Sequence, residues 1–217
     1  SPLVREQAIR LSEQLLMPLV KRERPPLDKG GLQGGLRGRS SLKPPPNPLL
    51  AQGGKTTSAN IRQKLLEMTG DPDDRVLFQL LCTLGTNVDE PAFAALTRIT
   101  LAHIEDAWFQ IAALSAPVSS TRWFRAVERQ PGFLSSPSKG KEDFLRRAAS
   151  IVGARQDNHE MAVLLAAVNR PTGADWWRVV TLAGLAEGMQ RGGQSQAKLA
   201  PAAQSTLSEL LGASPKV

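Results

Sequence analysis

The strongest chemical motif in the sequence is Gly53-Gly54-Lys55-Thr56-Thr57, which half-resembles a phosphate-binding loop. Such a loop cradles phosphates with glycine-rich backbone amides and a lysine, and it follows a strand. Here Leu49 stands where the pattern needs glycine, and Pro44-Pro45-Pro46-Asn47-Pro48 stands in place of a strand. A flexible linker is the better reading. The run from Gly30 to Gly38 fails as a dinucleotide loop, because no strand–helix–strand unit surrounds it. Asp71, Asp73 and Asp74 suggest a cation site, but an EF-hand loop also needs a central glycine and a closing glutamate. Helix capping explains the same three residues.

The chain has two histidines, His103 and His159, and one cysteine, Cys82. His159-Glu160 lacks the second histidine of a zinc-protease helix. His103 stands near a helix end beside Glu105 and Asp106. This inventory speaks against a transition-metal site and rules out an internal disulfide. No serine or cysteine has the context of a nucleophile elbow. Cys82 falls on an apolar helix face and reads as a buried structural thiol. No catalytic, cofactor-binding or metal-binding residue is therefore expected in this chain.

Trp108, Trp123, Trp176 and Trp177 offer a different chemistry, that of protein contact. At helix starts in a repeat protein they are expected to fill the space between repeats. The adjacent Trp176 and Trp177 point about 100° apart on a helix, so both cannot face one core. One of that pair can then be exposed, and beside the leading reading of packing between repeats Trp176, Trp177 and Trp123 are the candidate protein-docking residues. Arg122, Arg125 and Arg129 lie at helical spacing and read as one solvated stripe beside Glu128.

These residues must be positioned by helices. Residues 3–16 place Leu3, Val4, Ala8, Leu11, Leu15 and Leu16 near one face. A second helix is predicted over 59–69 through Ile61, Leu65, Leu66 and Met68. A third runs from Arg75 to Leu84, opened by Asp71-Pro72-Asp73-Asp74 and closed by Gly85. Further helices are predicted near 90–102, 105–115, 121–130, 140–153, 158–169, 174–190 and 197–211. Alternating strand patterns and hairpin signals are missing, so the fold class is all-α. The run from Asp74 to Cys82 aligns with Asp106 to Leu114 at an offset of 32. The helix containing Val4 aligns with that containing Val76 at an offset of 72, which falls to 30 once a 42-residue insert is removed. Each unit is thus a helix pair too small to bury its own face, and stacking such pairs makes an α-solenoid.

The insert is residues 17–58. It holds seven of the 18 glycines, seven of the 16 prolines, and eight basic against two acidic side chains. It reads as a disordered basic loop between a first repeat helix (1–16) and the repeats of 59–190, with a linker and last helix at 191–217. The remaining 175 residues carry 19 basic and 18 acidic side chains, so the net charge of +7 describes the insert rather than a binding face. That distribution speaks against nucleic acid as a partner. The apolar runs fall well short of the roughly 20 residues of a membrane span. The chain opens on Ser1 without a basic-then-apolar signal region, and we expect it to be a piece of a longer polypeptide or a processed form.

The segments DPDDRVLFQLLCTLG (71–85), VREQAIRLSEQLL (4–16) and EDAWFQIAALSA (105–116) resemble HEAT-like repeats of the phycobilisome-lyase type. With IVGARQDNHEMAVLLAAV (151–168) and the closing stretch 177–188, the order of segments is similar to the repeat region of a bacterial membrane-bound dehydrogenase family. The resemblance covers about two thirds of the chain. Those proteins join a β-propeller, helical repeats and a haem-binding cytochrome c domain. The resemblance implies a setting in the bacterial cell envelope or periplasm. It carries no catalytic residue to this chain, which has neither a Cys-x-x-Cys-His haem site nor propeller strands; any catalysis and haem would lie outside it. PPLDKGGLQGGLRG (25–38) resembles peptides encoded by short palindromic genomic repeats. The expected role is a non-catalytic scaffold for proteins or neighbouring domains. The alternatives are part of a dehydrogenase with a cytochrome c domain, or a nucleic-acid-binding repeat protein.

Overall fold

The structure, a computed structural model, describes residues 1–16, 48–170 and 175–192. The part of the expected insert at 17–47 and the expected helix at 197–211 lie outside these residues. Within them every regular element is helical: α1 (Pro2–Leu16), α2 (Pro48–Glu67), a 3₁₀ turn (Met68–Gly70), α3 (Asp74–Leu84), α4 (Glu90–Ala102), α5 (Ala107–Ser115), α6 (Ser120–Glu128), α7 (Lys139–Arg155), α8 (Asn158–Val168) and α9 (Trp176–Arg191). The all-α expectation holds.

Side-chain caps set most of the starts. Asp73, Asp89, Asp106 and Asp157 each accept a backbone N–H from the first turn of α3, α4, α5 and α8. Ser119 and Ser138 do the same for α6 and α7. Each cap satisfies a donor that the helix cannot pair internally. Of the three aspartates expected to cap α3, Asp73 is the cap, whereas Asp71 binds Arg5 of α1 at 2.6 Å. The second helix departs from expectation. It starts at Pro48, not at 59, so residues 48–58 belong to α2 and not to a loop. Pro48 has the fixed φ of a first helical residue. Cooperative growth from the half anchored by Ile61 and Leu65 offsets the cost of about 1 kcal/mol for each of Gly53 and Gly54.

The odd-numbered helices pack side by side in one layer, α1 on α3, α3 on α5, α5 on α7 and α7 on α9. In the other layer α2 packs on α4, and α6 on α8. α1 and α3 run parallel: Arg5 meets Asp71, Arg10 meets Gln79 at 2.9 Å, and Glu13 meets Thr83 at 2.6 Å, the numbers rising together. α7 and α9 are also parallel, with Arg146 against Gly184 and Ser150 against Gly188. Between the layers lies a core of Leu80, Leu81, Leu96, Ile99, Leu145, Leu164 and Leu165. At its centre Trp123 stands edge-on to Phe93 and Phe144, with ring centroids 5.0 and 5.8 Å away.

Candidate interaction face

The three candidate docking tryptophans, Trp123, Trp176 and Trp177, are buried or half-buried, as the packing reading expects. Trp123 is 1% exposed and Trp177 4%. Trp176 does diverge from Trp177, as the helix requires, but it does not reach solvent freely. It is half-buried, and its indole Nε1 donates to the Leu134 carbonyl at 2.9 Å. The turn carrying Leu134 covers it, a contact that helix periodicity cannot reveal. The exposed indole is Trp108, on the first turn of α5, with 70% of its surface open.

Trp108 stands in a series of shallow grooves along the odd-helix layer. One, of about 520 Å³, lies between α1, α3 and α5 and is lined by Arg10, Asp74, Phe78, Asp106 and Trp108. A second, of about 460 Å³, is lined by Phe78, Cys82, Trp108, Ile111 and Ser115. A third, of about 480 Å³, lies between α5, α7 and α9 and is lined by Ile111, Leu114, Arg146, Arg147, Ile151 and Arg191. Trp108 belongs to the first two grooves and Ile111, 44% exposed, to the last two. Helix α5 is thus a ridge with an apolar crest. Its other side is seated by Phe109, Gln110 and Ala113, and Gln110 Nε2 donates to the Ile104 and Gly140 carbonyls at 2.6 and 2.9 Å. The sequence did hold a signal for this ridge. Helix α5 is apolar on both sides, more than one buried face can use.

Charge is graded along the face. At the α1–α3 end Glu6, Asp74 and Asp106 line the first groove with Arg10 and Arg75. At the α7–α9 end Arg146 and Arg191 share one carboxylate, Glu187, at 3.3 and 4.0 Å, and Arg147 donates to the Ala107 carbonyl.

The other candidate groups resolve individually. Cys82 is exposed, not buried as expected, because Leu80, Leu81 and Leu84 fill the core side of α3 and turn it toward the second groove. Partial desolvation of its sulfur, then the charge of Glu13, push the thiol above its ordinary value, the opposite of an activated nucleophile. His103 stacks on Phe109 at 4.2 Å, with Nε2 3.9 Å from Asp74 Oδ1. Asp157 caps the helix that carries His159. Among the described residues no group of three or more His, Cys, Asp or Glu could hold a metal ion. The Gly53-to-Thr57 stretch lies inside α2, where its amides belong to a helix rather than a phosphate cradle. The arginine stripe is divided: Arg122 binds Glu90 at 2.8 Å and lies 3.9 Å over the Phe93 ring, while Arg125 and Arg129 are exposed. A cavity of about 50 Å³ beside Phe124, Leu145, Leu164 and Trp177 has room for a few waters at most. No helix among the described residues is long and apolar enough to cross a membrane.

Compared with known proteins, the chain matches no family model, no curated protein and no solved structure.

Proposed function

We propose that this chain is a non-catalytic helical-repeat scaffold, a HEAT-like α-solenoid that holds a protein or a neighbouring domain against its odd-helix face. The observation that carries this reading is Trp108, 70% exposed between two grooves on a helix whose opposite side is anchored in the core. A large aromatic held open on a rigid support costs little further ordering when a partner covers it. The solenoid part is supported by the separation of odd and even helices into two layers and by parallel packing of α1 on α3 and of α7 on α9. It is also supported by the internal offset of 32 between the Asp74 and Asp106 runs. The wider setting rests on the resemblance: service within a larger redox polypeptide of the bacterial cell envelope, with catalysis and haem in other domains.

Hydroxyl-radical footprinting tests the docking face. The Trp108 peptide is expected to be oxidised readily in the purified 217-residue chain and protected in the native polypeptide within its cell extract. Equal oxidation in both would overturn the reading. The redox setting is tested separately by the intact mass and visible spectrum of the native polypeptide. A mass well above 23.4 kDa with a haem Soret band supports it, and a mass near 23.4 kDa without haem removes it.

A further inference from the structure

The groove between α5, α7 and α9 joins an apolar lining to unbalanced positive charge. Ile111 is 44% exposed there, and Leu114 and Ile151 beside it are half-buried. The same groove is lined by three arginines, Arg146 and Arg147 of α7 and Arg191 of α9, against one carboxylate, Glu187. Arg146 and Arg191 converge on that carboxylate at 3.3 and 4.0 Å, with 44% and 72% of their side chains open to water. Arg147 has no carboxylate partner among the described residues and donates to the Ala107 carbonyl at 3.3 Å. Like charges gathered on a single counter-charge repel one another, and a further carboxylate relieves the repulsion. The excess is local to this end of the face. The groove between α1, α3 and α5 is lined by three carboxylates, Glu6, Asp74 and Asp106, against two arginines.

We propose that the α5–α7–α9 groove receives an acidic segment of a partner protein. Its Asp or Glu side chains meet Arg147 and Arg191, and its apolar side chains cover Ile111, Leu114 and Ile151. A guanidinium presents a planar fork of donors that matches a carboxylate in a bidentate pair. The apolar lining separates this occupant from nucleic acid. A phosphate backbone would satisfy the arginines but leave the apolar surface in water. It also calls for basic groups strung along the face, and the groove at the other end has an excess of carboxylate instead. The inference rests on the reading of the odd-helix face as a docking face and gives the chemistry of what docks there.

Random peptides about three helical turns long, displayed on phage and selected on the full 217-residue chain, test it. A wash with excess synthetic peptide 17–47 removes clones that bind that basic segment. The enriched peptides are expected to combine Asp or Glu with large apolar neighbours. Arg147→Gln with Arg191→Gln alters two surface side chains, so helicity by circular dichroism is retained. The Kd of the enriched peptides, read by fluorescence polarisation, is expected to rise at least about ten-fold in this double variant. Lysine at the same two positions recovers part of the loss, because it restores the charge but not the fork. Enriched peptides without acidic residues overturn the inference, as does a selection that enriches none. Acidic peptides held equally by the double variant overturn it too. So does a single-stranded oligonucleotide held through the same arginines more tightly than any peptide. These outcomes leave the docking face standing, since Trp108 protection is read separately in the native polypeptide; equal oxidation of Trp108 removes the face itself.

Discussion

At the scale of single residues, the ion pair of Asp71 with Arg5 ties α1 to the rest of the stack. Burial pushes the Asp71 carboxyl up. The Arg5 hydrogen bond, the Asp73 amide and the Arg5 charge outweigh that and hold it below the ordinary aspartate value. Replacing Asp71 with Asn is expected to cost up to about 1 kcal/mol near neutral pH, since Arg5 stays partly solvated. The native carboxyl ionises at lower pH than the unfolded one. Its contribution is therefore full above the unfolded value and lost as pH falls through the native one. Urea midpoints of the two proteins are expected to begin converging below about pH 4 and to meet only once the pH has passed the lower native value. Cys82 gives a second residue-scale expectation. Its thiol is accessible but raised, so iodoacetamide at pH 8 alkylates it completely, though more slowly than free cysteine. The role of the three aspartates was only partly legible. Capping follows from local spacing, which found Asp73, but the partner of Asp71 is 66 positions away and no local rule contains it.

At the scale of elements, the parallel pair α7–α9 is built backbone to backbone. A Cβ added at Gly188 would lie 2.8 Å from the Ser150 carbonyl carbon and closer still to its oxygen. One added at Gly184 would lie 2.8 Å from the Arg146 Cα. Neither obstacle is a side chain that could swing aside. Gly188→Ala is thus expected to destabilise the chain by about 1–3 kcal/mol or more, read from urea unfolding. Gly70→Ala is the control, because nothing lies within 4 Å of a Cβ there, and its effect is expected to be within about 1 kcal/mol of zero. Helices with strong caps were legible. Asp89-Glu90-Pro91 opens α4 and the predicted bounds 90–102 are those observed. The start of α2 was not legible, because a Gly-Gly pair reads as a break until the helix beyond it is known to be anchored. Nor did the glycines of α9 announce their use, since spacing alone does not say which helix comes close.

At the scale of the whole molecule, the stretch of sequence between α1 and α2 is the natural place to test which part of the chain the fold requires. Residues 17–47 carry seven basic and two acidic side chains, most of the chain's net positive charge. Joining residue 16 to residue 48 by a short flexible linker is expected to preserve cooperative unfolding, because loop-closure cost changes slowly with length. The same deletion is expected to abolish most of the salt-sensitive retention on heparin. Loss of cooperative folding would show instead that the segment belongs to the core. The all-helical class was readable because periodicity and caps are local. Which face stays open was not, since exposure is decided by neighbours far away in sequence. The sorting of the four tryptophans has an optical consequence. Two are sealed in the core, one is hydrogen-bonded and half-buried, and Trp108 alone among them is mostly open to water. Iodide or acrylamide therefore extinguishes mainly the red edge of the emission, which belongs to this one ring. The chain carries its own fluorescent gauge, and a blue shift of that edge would time the arrival of whatever lies down on α5.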